Sequence, residues 1–186
     1  MQAMTQPRIP PLPVEGRDPR TEELLAGLRP PGGPDLNIFA TLAHHPRLLK
    51  RWSAFGGVLL YGGRLSDRDR ELLIMRAGWL CGARYEWAQH VAFSRAAGLS
   101  DDEIARIADG PDAPGWALDD ATLLRAADEL HADSRIDDAT WAALAGRYDE
   151  QQLIEICMVV GQYHLVAFTL NSLGVQPEPG LPEMPA

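Results

Sequence analysis

The chain has 186 residues, enough for one domain that buries its own core without staples. With 26 acidic against 17 basic side chains the formal charge is −9 at pH 7, and no run of Lys or Arg makes a basic face, which excludes nucleic acid and anionic membrane as expected partners. Two cysteines, Cys81 and Cys157, are too few for a disulfide framework or a four-thiolate metal site, and read as reduced thiols of a cytoplasmic protein.

The opening stretch MQAMTQPRIPPLPVEG has no apolar core of signal-peptide length, and its prolines favour extended backbone, so residues 1–20 are expected to form a Pro-rich arm or disordered tail. A short helix is predicted from Thr21 to Leu28, stopped by Arg29-Pro30-Pro31-Gly32-Gly33-Pro34. Another turn or two is expected over Asn37 to Ala43, and Pro46 suits the first turn of a helix running to Tyr61, which Gly62-Gly63 ends. Ser66 and Asp69 then resemble a capping box for a helix whose apolar positions exceed one face, as in a segment buried on several sides.

A break near Cys81-Gly82 separates that helix from a second, Ala83 to Ala97, which Gly98 terminates. Ser100 with Glu103 opens a further short helix through a capping box. After the loop Gly110 to Gly115, Asp119 or Asp120 is expected to cap a helix to His131, and Asp137 or Asp138 another to Arg147. Asp149 with Gln152 opens QQLIEICMVVGQYHLVAFTLNSL, apolar nearly all round and expected at the centre of a bundle or in a subunit interface. No stretch reads as a membrane span. No segment alternates with period two, so the expected fold is all-α, an antiparallel helical bundle over residues 21–176 with a Pro-rich tail over 177–186.

The stretch Leu65 to Leu99 holds the closely spaced ionisable groups. Glu86 and His90 stand four residues apart and share a helix face, and a tight turn would bring Glu71 opposite them. Spacing alone favours an ordinary exposed Glu–His pair. The block Arg70-Glu71-Leu72-Leu73, the run Trp79 to His90, and Ala96-Ala97-Gly98-Leu99-Ser100-Asp101-Asp102-Glu103-Ile104 resemble the carboxymuconolactone decarboxylase family, also called alkylhydroperoxidase D-like. That resemblance implies a catalytic histidine at His90, an acidic partner at Glu71, and assembly as a homotrimer or homohexamer. In the peroxide-reducing branch a Cys-x-x-Cys pair stands where this chain has Ala83 and Glu86, so the resemblance points to the decarboxylase-type branch.

The implied activity is a cofactor-independent decarboxylation or isomerisation of a small carboxylated lactone or related cyclic acid, with His90, Glu86 and Glu71 as the acid/base set. Tyr85 and Trp87 are expected to wall the substrate pocket, with Arg76 or Arg84 holding the substrate carboxylate. Cys81 is a second candidate at that pocket, and a thiol peroxidase working through Cys81 alone is the alternative activity. A non-catalytic small-ligand-binding helical oligomer is a third reading. Cys157 reads as core; Tyr163 and His164 interrupt an apolar run and each should find a buried polar partner, a satisfied core histidine being the simpler role for His164. His90, His131 and His164 fall on separate predicted helices without zinc-signature spacing, so no metal is expected, and no phosphate-binding loop calls for a nucleotide cofactor.

Overall fold

The computed structural model describes residues 6–185, and among them every regular element is helical. In chain order these are α1 (Pro19–Ala26), α2 (Asn37–Leu42), α3 (Pro46–Tyr61), α4 (Asp67–Leu80), α5 (Arg84–Ala96), α6 (Asp101–Arg106) continued by a 3₁₀ turn over Ile107–Asp109, α7 (Leu118–Asp133), α8 (Asp138–Ala145) and α9 (Glu150–Leu173). The all-α expectation holds, and most predicted starts and stops lie within two residues of the observed ones.

Helix α4 is the axis of the molecule, packed against α5, α7 and α9. Everything from Asp69 to Gly78 is buried, because Leu72, Leu73, Ile74, Met75 and Ala77 supply apolar surface all round the helix. The charged residues drawn in with them are all partnered, as buried charge demands. Asp69 meets Arg147 at 3.1 Å, Arg70 meets Asp67 at 2.8 Å, Arg76 forks onto Asp128 at 2.5 and 2.9 Å, and Glu71 meets His90 at 2.8 Å.

The turn from α4 into α5 depends on Gly82, whose φ of +59° lies in the left-handed region that a Cβ disfavours. The amide of Ala83 donates to the carbonyl of Gly78 at 2.8 Å and that of Gly82 to Trp79 at 2.9 Å, closing the end of α4 and folding α5 back along it. The capping boxes at Ser100 and Asp149 form as read, and Gly174 terminates α9 in the left-handed conformation. Helix α7 differs: its N-cap is Ala117, and Asp119 and Asp120 sit inside the first turn, where Asp120 binds Arg68 at 2.7 Å. Their charge complements the helix dipole without capping an amide. Asp137 is the N-cap of α8 but its side chain makes no capping bond.

Helix α9, at 24 residues, is long and apolar enough by length and composition to cross a membrane, contrary to the sequence reading. Half of its most apolar window is buried, as Leu153, Ile156, Val159, Val160, Tyr163, Val166, Ala167 and Leu170 pack inward. Ile154, Met158, Leu165 and Phe168 form an exposed stripe on the opposite side.

Both ends dock onto the bundle. The arm is tied down from Arg8, whose amide donates to Leu173 at 2.8 Å, and Leu12 donates to Ala40 at 3.0 Å; the expected arm over residues 1–5 lies outside the described residues. Arg17 stitches the arm with bonds to Leu12, Pro13 and Asp35. In the tail, whose last residue is also outside the description, Glu178 accepts from the Asn37 amide at 2.7 Å, from the Tyr85 hydroxyl at 2.9 Å and from the Gln89 amide.

Candidate active site

Helix α5 brings the ionisable groups together. Glu86, in its first turn, and His90, one turn on, face the same way into a cavity of about 650 Å³. The cavity is bounded by α2, α3, α5, α9, the segment linking α1 to α2, and Leu181 of the tail. Its size suits a small organic molecule. Aromatic rings dominate the walls: Phe39, Trp52, Tyr61, Tyr85, Phe93 and Tyr163.

Glu71 stands behind His90. It is fully buried, and its Oε2 lies 2.8 Å from His90 Nδ1 while Oε1 faces the Arg70 guanidinium at 3.4 Å. A carboxylate on Nδ1 fixes the ring's tautomer and orientation and leaves Nε2 for a substrate. The ring is further held between Phe93, with centroids 5.2 Å apart, and the edge of Tyr163, at 5.0 Å and 86°.

Glu86 is in a different environment. It is 3% exposed, and neither carboxyl oxygen has a hydrogen-bond partner. Burial with nothing to compensate the charge pushes its carboxyl well above the usual range and so favours the protonated acid. The exposed Glu86–His90 ion pair open to the sequence is therefore not formed. Burial, with Glu71 and Glu86 nearby, likewise keeps the Tyr163 phenol protonated. The cavity thus holds an imidazole oriented by one carboxyl and, beside it, a second carboxyl and a phenol whose O–H forms burial favours.

Of the residues predicted from sequence, Glu71, Glu86 and His90 converge and Tyr85 lines the cavity. The other four do not reach it. Trp87 follows Glu86 by one residue, so it turns away on the helix and packs against Trp79 with ring centroids 5.7 Å apart. Arg76 is committed to Asp128 and to the carbonyls of Ile107 and Ala108. Arg84, the other cation considered, is exposed and outside the cavity. Cys81, just past the end of α4, lies outside the lining as well, and burial, then the nearby Glu86, pushes its thiol up to about 11. Burial raises Cys157 too.

Sequence reasoning missed Gln162, which is buried and lines the cavity. Its signal was available: Gln162 and Tyr163 are adjacent polar groups inside the apolar run of α9. Tyr163 faces the cavity, whereas His164 points elsewhere. Phe39, Trp52 and Tyr61 come from segments that carried no functional signal.

Residues 46–129 match the carboxymuconolactone decarboxylase family. Among solved structures the chain is similar to an uncharacterized peroxidase-related protein from Silicibacter sp. TM1040, at 19% identity and TM-score 0.79, over 95% of this chain and 96% of that one. It is also similar to an uncharacterized peroxidase-related protein from Ralstonia eutropha JMP134, described as an alkylhydroperoxidase AhpD core, at 18% identity and TM-score 0.73, over 92% and 93%. A third similar structure is the debrominase Bmp8, a cysteine-to-alanine variant in complex with 2,3,4-tribromopyrrole, at 15% identity and TM-score 0.73, over 96% and 95%. No curated protein matches the chain. At these identities the structural likeness carries the fold and leaves the chemistry to the site.

Proposed function

We propose, from the premise that this chain belongs through residues 46–129 to the carboxymuconolactone decarboxylase family, that it is a cofactor-independent acid/base enzyme acting on a small, largely apolar cyclic acid such as a carboxylated lactone. The observation that carries the proposal is the pairing, in one cavity, of a histidine oriented by a buried carboxyl with a second buried carboxyl that has no hydrogen-bond partner, so that burial favours its protonated form.

In a decarboxylation the substrate enters as a carboxylate. The bond from ring carbon to carboxylate breaks, CO₂ leaves, and the electron pair moves onto a conjugated carbonyl oxygen as an enolate. The Glu86 O–H donates to that oxygen as its charge develops, where a donor in a dry site counts most. Protonated His90 then delivers its proton to the ring carbon, and solvent restores it. In an isomerisation neutral His90 removes the carbon-bound proton and returns it at another carbon, with Glu86 in the same role.

The aromatic walls bind the ring, and Gln162 and Tyr163 are buried polar groups on the wall that can meet substrate oxygens. Among the described residues the cavity lining includes one arginine, Arg29, whose guanidinium is already bound by Asp35 at 2.7 Å and Glu22 at 2.9 Å. A substrate carboxylate would therefore sit poorly solvated, a condition that favours its loss as CO₂.

A thiol peroxidase working through Cys81 has less support, because a thiol with a pKa near 11 offers little thiolate at neutral pH and stands outside the cavity. The test is turnover of a panel of carboxylated muconolactones and related acids beside peroxide consumption with thiol reductants. The expected result is lactone loss that Cys81→Ser leaves unchanged. Peroxide consumption abolished by Cys81→Ser, with no lactone turnover, would overturn the proposal.

A further inference from the structure

Away from the cavity, three side chains from three helices meet at one point. Cys81 caps the C-terminus of α4, His131 lies in the last turn of α7, and His164 is midway along α9. Their donor atoms all lie within 4.8 Å of one another, and none of the three residues lines the cavity. The sequence reading set these histidines on separate helices and expected no metal. The fold brings them together across a separation of 33 residues.

We propose that Cys81, His131 and His164 form a zinc-binding site, in which the Cys81 sulfur and one nitrogen of each imidazole bind a single Zn²⁺ and solvent holds the fourth position. One thiolate with two imidazoles is a borderline-soft donor set suited to zinc.

The preparation of the donors is visible in the surrounding contacts. His164 Nδ1 donates to the Val160 carbonyl at 2.8 Å, which fixes the tautomer and leaves Nε2 with its lone pair outward. That Nε2 lies 2.8 Å from His131 Nδ1, whose N–H donates to it. A zinc ion would take the place of this shared proton, His131 passing to its other tautomer so that both nitrogens offer lone pairs. The Asn171 amide donates to the Cys81 carbonyl at 2.9 Å and anchors the thiol-bearing turn to α9. The C-terminal ends of α4 and α7 both approach the cluster, and helix C-termini favour positive charge.

Zinc bonds of about 2.0–2.3 Å place ligand atoms roughly 3–4 Å apart around a tetrahedral centre. Reaching that from the observed separations takes small side-chain rotations. His131 is exposed and free to make them, while Cys81 and His164 are half-buried and hold the inner side. Binding forms a Zn–S bond and releases the Cys81 thiol proton to the buffer, with no change of oxidation state.

The experiment is titration of the metal-free full chain with Zn²⁺ by calorimetry in buffers of different protonation enthalpy, repeated with Co²⁺ as an absorbing substitute. The proposal expects one ion per chain, release of close to one proton near neutral pH, and a thiolate-to-cobalt charge-transfer band. His131→Ala, at an exposed position that leaves the fold intact, should weaken binding by at least about tenfold. Cys81→Ser, with folding checked by circular dichroism, should abolish the charge-transfer band. Absence of stoichiometric binding, or binding that both substitutions leave unchanged, would overturn the proposal.

Discussion

His90→Gln is expected to lower turnover by roughly 10²–10⁴-fold, the range over which a positioned general acid/base acts. Glutamine fits the space of the imidazole and still offers a hydrogen bond to Glu71, whose Oε2 lies 2.8 Å from His90 Nδ1. It has no nitrogen that takes or gives a proton near neutral pH, so the loss should fall on kcat. KM should stay close to wild type, because the aromatic walls that bind the ring are untouched. Steady-state kinetics on whichever lactone acid the wild type consumes provide the check. A variant that keeps full kcat would remove His90 from the reaction.

The second large effect concerns Glu86, where function and stability pull in opposite directions. Its carboxyl is buried without a hydrogen-bond partner, and burial raises its pKa in the folded state well above the ordinary value. Above the unfolded pKa of about 4.3 the unfolded chain gives up this proton while the folded chain keeps it. The native state then binds more protons than the unfolded one, so stability falls as pH rises, by up to about 1.4 kcal/mol for each pH unit until the folded pKa is passed. Glu86→Gln removes the titration. It is expected to be more stable than wild type at neutral pH, by a margin that widens as pH rises above the ordinary carboxylate range, while turnover falls because an amide N–H is a far weaker acid. Denaturant unfolding of both proteins at several pH values measures the margin. A difference that does not change with pH would mean that Glu86 is already ionised in the fold.

Much of the architecture could be read because the local signals are strong and self-contained. The capping boxes at Ser100 and Asp149, the terminating Gly98 and Gly174, and the apolar excess of α4 each act within a few residues, and each appears where it was expected. The start of α7 was misread because Asp119 and Asp120 are good capping residues, yet Asp120 serves Arg68 and Ala117 takes the boundary.

At the site, the shared face of Glu86 and His90 was legible from their helical spacing and their approach to Glu71 from the short turn between two helices, while their singling out as a site came from the family resemblance. Trp87 was misplaced by adjacency in sequence, since one residue along a helix rotates a side chain well away from its neighbour. Arg76 was misplaced because its partner, Asp128, comes from α7 and nothing near Arg76 announces it. The far walls of the cavity, and the meeting of Cys81 with His131 and His164, depend on contacts between distant segments that no local pattern encodes.

The most direct test of the acid/base account is to run the reaction on a carboxylated lactone in D₂O and locate the label in the product by NMR. If His90 returns a solvent-exchanged proton to carbon, the wild-type product carries deuterium there, at the carbon that lost CO₂ or at its conjugated position, and His90→Gln yields almost none. A product formed at the wild-type rate by His90→Gln, with the same deuterium, would contradict the account.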